Sequence, residues 1–334
     1  MQAGLLDEAT GLAGRFCPPD YRVKPEIFAG PAELAADILY VVGGLYGNPY
    51  ALDVIEALIQ AERRLNPGAT CEIVFNGDFH WFDASPSLFR TLEQRSSAYY
   101  RQRGNVETEM ARLDDDAAGC GCAYPESVSD QEVQWSNSIM ASLIYAGRKG
   151  VGDAQIASLM NLPMASHWQI GDLRVAVTHG DHESLAGWGL AQDQLVNTWS
   201  QGLRTFMQTH ELNLIASSHT CLPVADWPLM REDLAVINNG SAGMANSRGS
   251  TAGIISRIAA NGSAPAPVKP LYSAKMRGTE IAALPVRFNF DAWLATFSEI
   301  WPEKSPADAS YMKRICSGPD YCLSQAARGG FKRR

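Results

Sequence analysis

The sequence predicts an α/β protein, and three observations carry that expectation. Apolar runs of strand length alternate with segments that repeat apolar residues at helical spacing. Glycine-containing polar turns stand at successive strand ends, where open α/β sheets put their sites. With 334 residues, 46% of them hydrophobic, the chain can bury one large core, or a core with extensions.

Taken in order, residues 36–45 read as one continuous apolar strand. It runs through Val41-Val42-Gly43-Gly44-Leu45-Tyr46-Gly47-Asn48 into a helix over 48–64, where Leu52, Ile55 and Ile59 share a face. Residues 70–76 form a second strand ending at Gly77-Asp78. Ser85 caps a helix that reaches Arg95, with Pro86 at its first position. Residues 98–103 form a third strand ending at Gly104-Asn105, and helices over about 130–149 and 152–162 follow. Strands over 168–170 and 173–178 flank Gly171-Asp172 as a hairpin. A long helix over about 191–210 leads into a strand over 212–217, and strands over 233–238 and 251–259 close the core. The stretch Ser263-Ala264-Pro265-Ala266-Pro267-Val268-Lys269-Pro270 is linker-like. The expected organisation is an N-terminal extension (1–35), a central domain (36–260), and a linker with a C-terminal extension (261–334) packing on the core through Trp293, Phe297 and Trp301.

A formal net charge of -8 argues against a general nucleic-acid surface, which would need clustered Lys and Arg. The basic run Lys332-Arg333-Arg334 reads as a solvated terminus, and Asp114-Asp115-Asp116 as a solvated turn. No apolar run approaches the roughly 20 residues that span a bilayer. The first residues lack the basic-then-apolar pattern of a secretory signal. Seven cysteines, Cys316 and Cys322 among them, show no disulfide-framework spacing and fit reduced thiols in a cytoplasm. Cys120-Gly121-Cys122 reads either as a redox pair or as a glycine-rich loop of small buried residues; the second is preferred.

The strand-end residues run Gly77-Asp78, Gly104-Asn105, His179-Gly180, His219-Thr220-Cys221 and Asn238-Asn239-Gly240-Ser241. Each alone is an ordinary turn or core histidine; their order and spacing together are specific. That order resembles the calcineurin-like metallophosphoesterases, whose motifs run Asp-x-His, Gly-Asp, Gly-Asn, His-Gly and Gly-His-x-His. The resemblance covers about residues 36–260. Arg103-Gly104-Asn105-Val106-Glu107, and Asn238-Asn239-Gly240-Ser241 followed by Arg248-Gly249, resemble the small bacterial phosphodiesterase branch, which includes a degenerate retromer subunit. The resemblance implies two mixed β-sheets packed as a sandwich flanked by helices, with the site on loops at one edge.

Carried over residue by residue, the family's ligands divide unevenly. The first metal would take Gly44, Tyr46, Asp78 and Cys221, of which only Asp78 is a usual ligand. The second would take Asp78, Asn105, His179 and His219, a complete set. The resemblance therefore implies one divalent transition metal, Mn, Fe or Zn, on a scaffold that has lost its other site. It implies metal-hydroxide hydrolysis of a small anionic phosphodiester, phosphomonoester or nucleotide-like ligand. The alternative is a catalytically silent binding or scaffold protein that keeps the fold. Asn48 at a helix N-terminus and Arg248 are the expected substrate-binding residues. No general acid is evident, because Val106 stands where many relatives have His. His80, Tyr46 and Cys221 are candidates to rebuild the missing half, with His80 read alternatively as a loop histidine beside Trp81. Asp181, His182 and Glu183 either contact substrate or lie on a solvated loop.

Overall fold

The computed structural model describes residues 13–112, 119–196, 199–228 and 233–334; the expected turn at 114–116 and the reading of the first residues lie outside them. In chain order the elements begin β1 (Leu34–Ala36), β2 (Ile38–Val42), α1 (Pro49–Leu65), β3 (Cys71–Asn76), α2 (Pro86–Ser96), β4 (Tyr100–Gln102) and α3 (Asn105–Ala111). Next come α4 (Asp130–Val151), α5 (Asp153–Ser158), β5 (Ala165–Ile170), β6 (Leu173–Thr178), α6 (Gln201–Thr209), β7 (Leu214–Ser217), β8 (Val224–Trp227) and β9 (Ala235–Asn238). The chain ends with β10 (Gly253–Ala259), β11 (Tyr272–Met276), β12 (Thr279–Val286), α7 (Phe290–Ile300), α8 (Pro306–Ser317), β13 (Ala327–Gly329) and β14 (Lys332–Arg333). Two seven-stranded mixed sheets result, ordered β1-β5-β6-β7-β9-β8-β13 and β14-β11-β12-β10-β2-β3-β4.

The strand β2 shows why the sheets stack. Leu39 and Val41 join a core shared with Val175, Val177 and Leu214 of the opposite sheet. Ile38, Tyr40 and Val42, on the other face, pack with Leu52, Ile55 and Ile59 of α1. A strand covered on both faces reads as an unbroken apolar run. On the far side of the first sheet, Leu203 and Met207 of α6 cover Ala176, Ile215 and Val236.

The expected single strand over 36–45 is two strands in different sheets. Asp37 separates them: its carboxylate accepts from the Thr70 amide (2.7 Å) and hydroxyl (2.8 Å), turning the chain from one sheet to the other. Of the expected helix over 191–210, the described residues are helical only from Gln201. Ser200 is extended (φ -58°, ψ 149°) and its hydroxyl accepts from the Leu203 amide, which makes it the cap of a short helix. The stretch 261–334, expected as a linker and packing extension, supplies β11, β12 and β14 to one sheet and β13 to the other. Lys332 and Arg333, read as a solvated terminus, pair with Ser273 and Tyr272, although their side chains are exposed.

Parallel pairing fixes the site's position. In one sheet β2, β3 and β4 run parallel, and in the other β6, β7 and β9 do, so their C-terminal ends meet at one edge of the sandwich. The Asn76 side chain ties the two edges by donating to the Thr178 carbonyl (2.8 Å), and Asn239 does so by donating to the Gly43 carbonyl (3.0 Å).

Candidate metal centre

Asp78, Asn105, His179 and His219 come together at that edge, all buried. Each follows a strand: Asp78 after β3, Asn105 at the start of α3 after β4, His179 after β6 and His219 after β7. Gly104 makes the approach possible, since a Cβ there would lie 2.6 Å from Asp78 Oδ1 and 2.9 Å from His179 Nε2. The Asp78 backbone is left-handed (φ 53°), a conformation that costs an aspartate about 1–2 kcal/mol and that points to a site under constraint.

Two side-chain oxygens and one ring nitrogen of each histidine converge. His179 Nε2 lies 3.1 Å from Asn105 Oδ1, 3.2 Å from His219 Nδ1 and 3.3 Å from Asp78 Oδ1. The outer atoms of two of these residues are already committed. His179 Nδ1 is 2.8 Å from the Asn76 carbonyl and donates to it, leaving Nε2 as the inward atom. Asn105 Nδ2 donates to the Cys120 carbonyl (2.8 Å), which turns Oδ1 inward. Bonds of about 2.0–2.1 Å to one tetrahedral centre place ligand atoms about 3.3–3.4 Å apart. His179 Nε2 stands at about that spacing from the other three atoms, and two imidazoles, a carboxylate and an amide oxygen suit Mn, Fe or Zn.

Protonation follows the same geometry. Burial acts to lower the His179 pKa, but the Asp78 charge and hydrogen bond outweigh it and raise it. His219 is pushed down to about 4 by burial and by His179 beside it. One cation is therefore favoured among the four groups: a proton on His179, or a metal in its place.

The side on which the resemblance would put a first metal is closed. The Tyr46 hydroxyl lies 2.8 Å from Cys221 Sγ. Both residues are left-handed, at φ 53° and 61°. A Cβ on Gly44 would lie 3.0 Å from the Tyr46 ring, so the ring occupies the direction in which a side chain at position 44 would project. Burial, with Cys221 and Asp78 beside it, raises the Tyr46 phenol well above its ordinary value, and burial also raises the Cys221 thiol. The pair is a neutral phenol and thiol rather than two anionic ligands.

His80 does not reach the cluster. Its Nδ1 is 2.6 Å from Asp83, its Nε2 3.3 Å from Glu93, and its ring stacks on Phe89 at 3.9 Å. Asn48 and Arg248, the expected substrate-binding residues, are not brought to the cluster either. Asn48 is fully buried and caps α1, accepting from the Tyr50 and Ala51 amides, so the helix end offers those donors to nothing else. Arg248 is exposed and pairs with Asp320. Asp181 accepts from the amides of Glu183, Ser184 and Gly189, and so shapes the loop that carries Trp188. His182 packs against Phe206, and Glu183 is exposed. Cys122 lines the cavity beside the cluster with Val106, and Cys120 is fully buried, as small loop residues would be.

Several contributors escaped the sequence reading. The Glu107 carboxylate accepts from the amides of Asp78 (2.9 Å), Phe79 (3.1 Å), His80 (3.4 Å) and Gly104 (2.8 Å), stitching the Asp78 loop to the start of α3. Its place in Arg-Gly-Asn-x-Glu was the available signal. Tyr124, Trp188 and Tyr311 wall a cavity of about 40 Å³ at the cluster. The indole of Trp188 donates to the Cys122 carbonyl (3.1 Å) and meets the His219 ring edge-on. Tyr311 comes from α8, and Arg314 on the same helix donates to the Cys221 carbonyl (2.6 Å).

No protein-family model and no curated protein matches the chain. Among solved structures, a hypothetical protein from Pyrococcus horikoshii OT3 aligns over 86% of this chain and all of its own, at 15% identity and a TM-score of 0.54. A metallophosphoesterase from Sphaerobacter thermophilus aligns over 85% of this chain and all of its own, at 14% identity and a TM-score of 0.48. Likeness at such identities concerns the fold alone. The two mixed seven-stranded sheets flanked by helices form the sandwich expected from the sequence.

Proposed function

We propose that the chain is a divergent phosphoester hydrolase working with one divalent transition metal held by Asp78, Asn105, His179 and His219. One observation carries the reading: buried Asn105 Oδ1, His219 Nδ1 and Asp78 Oδ1 stand 3.1–3.3 Å from the inward Nε2 of His179. Lone pairs so arranged repel unless a cation stands among them. When bound, a divalent metal supplies Lewis acidity and lowers the pKa of water toward about 7. One carboxylate against it leaves a local charge of about +1, which favours an anionic ligand.

The chain's own residues have defined parts in this reading. Asn76 fixes the tautomer of His179, and Cys120 orients the Asn105 amide. Glu107 positions Asp78. Tyr124, Trp188 and Tyr311 limit water at the cluster, since the cavity they wall has room for about one molecule. The neutral Tyr46–Cys221 pair fills the place of the second cation of a two-metal clamp, with its own protons spent on each other and on the His219 carbonyl. Small phosphodiesters, phosphomonoesters and nucleotide-like esters are the substrate class. Seven free thiols fit a reducing compartment, and the cytoplasm is the proposed location.

The test is hydrolysis of bis(p-nitrophenyl) phosphate and p-nitrophenyl phosphate by protein loaded in turn with Mn²⁺, Fe²⁺ and Zn²⁺. Turnover that falls to background in His219→Ala supports hydrolysis. Metal binding without turnover on any ester supports the silent binding protein instead.

A further inference from the structure

A second cavity, of about 530 Å³, lies between α1, the end of β12 and β14, and shares no lining residue with the cavity at the metal cluster. Its base is aliphatic: Val54 and Leu58 from one face of α1, with Leu271 and Leu323 opposite. Its rim is cationic, formed by Lys269, Arg287, Arg333 and Arg334, and no acidic side chain lines it. The chain as a whole has 36 acidic residues against 28 basic ones, so four cationic side chains together with no acidic one run against the composition. Elsewhere arginines find carboxylates: Arg95 pairs with Asp53 and Glu56, and Arg257 with Glu62 and Glu280. The side chains of Lys269, Arg287 and Arg333 have no hydrogen-bond or ion-pair partner among the described residues.

These cations sit on ordered backbone. Arg333 stands opposite Tyr272 in the pairing of β14 with β11. The Arg334 amide donates to the Leu271 carbonyl (3.1 Å), and its Nε to the Ser273 hydroxyl (2.8 Å). The volume is that of a small-molecule site, for which an apolar base with a few convergent polar groups is the usual construction. No aromatic ring lines it, so it offers no stacking platform for a nucleobase.

We propose that this groove binds an aliphatic anion: an unbranched alkyl chain lying on Leu58, Leu271 and Leu323, with a carboxylate or phosphate head held by Arg287, Arg333 and Lys269. The assignment is independent of the metal cluster and of any hydrolysis there.

Isothermal titration of the metal-free protein with decanoate and with decyl phosphate tests it. Saturable binding of one molecule per chain is expected, and the tighter of the two names the head group. Shortening the chain by two methylenes weakens binding roughly tenfold, as burial of an alkyl chain requires. The double variant Arg287→Glu/Arg333→Glu weakens it at least tenfold; both side chains are exposed and unpaired, so circular dichroism should remain that of the parent. The proposal is overturned by an absence of saturable binding, or by equal affinity for the neutral decyl maltoside. It is also overturned if inorganic phosphate binds as tightly as decyl phosphate, or if an oligoglutamate peptide binds where decanoate does not.

Discussion

The Tyr46 phenol oxygen lies 2.8 Å from the Cys221 sulfur, with each residue held in a left-handed backbone conformation on a different loop. Two such conformations cost a few kcal/mol together, and here they bring side chains from the ends of the two sheets into one contact. The contact stands where the resemblance places a first metal. Burial keeps both groups protonated, so that side of the site is filled and neutral. The opposite side gathers Asp78, Asn105, His179 and His219, and of the two histidines only His179 has its charged form favoured.

Metal binding should displace one proton. His219 is already neutral at pH 7, whereas His179 is raised by Asp78, so the proton to be expelled is the one on His179. Titrations of Zn²⁺ at pH 6 in buffers of different ionisation enthalpy should show release of about one proton, with affinity falling about tenfold per unit of acidification. Binding without proton release would mean that His179 is not a ligand.

Glu107 anchors the loop that presents Asp78. Glu107→Ala leaves four backbone donors without their acceptor. It should cost roughly 2–4 kcal/mol in urea unfolding and weaken metal binding about 10–100-fold. Unchanged affinity in a folded variant would show that Asp78 holds its position unaided.

His80 supplies stability rather than chemistry. Burial lowers its pKa, but Asp83 and Glu93 outweigh burial and raise it from 6.5 to about 10. Its contribution is therefore full below about pH 6.5 and fades as the pH climbs through about 10. Burial opposes ionisation of Glu93, yet His80 and Arg101 hold it at about 2, below its ordinary 4.5, so this carboxylate's share fades only as pH falls through that range. His80→Gln should lose about 3 kcal/mol at pH 6 and much less near pH 10, with metal content unchanged. A loss of bound metal in a folded His80→Gln protein would contradict the assignment.

Part of this was legible from residue order alone. Asp78, Asn105, His179 and His219 are local turn motifs at parallel strand ends, and such motifs survive in one dimension. Trp188 and Tyr311 are not local: they reach the site through a loop tied by Asp181 and through α8, far along the chain. The strands β11 and β12 did carry a signal. Arg277-Gly278, with φ of 47° and 85°, is a two-residue hairpin turn, but the proline-rich stretch before it read as the end of a domain. The short β8 pairs β9 in antiparallel fashion, yet its four residues lie beside Pro223 and Pro228 and show no clear period.

Rebuilding the closed half should restore a second site. Gly44→Asp alone should fail, because the new side chain meets the Tyr46 ring, at 3.0 Å from a Cβ placed there. Gly44→Asp, Tyr46→His and Cys221→His together remove the obstruction and add one carboxylate and two imidazoles beside Asp78. The folded triple variant should take up a second Mn²⁺ and gain activity on bis(p-nitrophenyl) phosphate. Continued binding of one ion would mean that positions 44, 46 and 221 do not surround a common centre.

The most direct measurement is the metal content of the purified wild-type protein by inductively coupled plasma mass spectrometry, alongside His179→Ala and His219→Ala. The account predicts one tightly held transition-metal ion per wild-type chain, and its loss in both variants. Two tightly held ions per wild-type chain, none after exposure to Mn²⁺, Fe²⁺ and Zn²⁺, or full occupancy in either folded variant would contradict it.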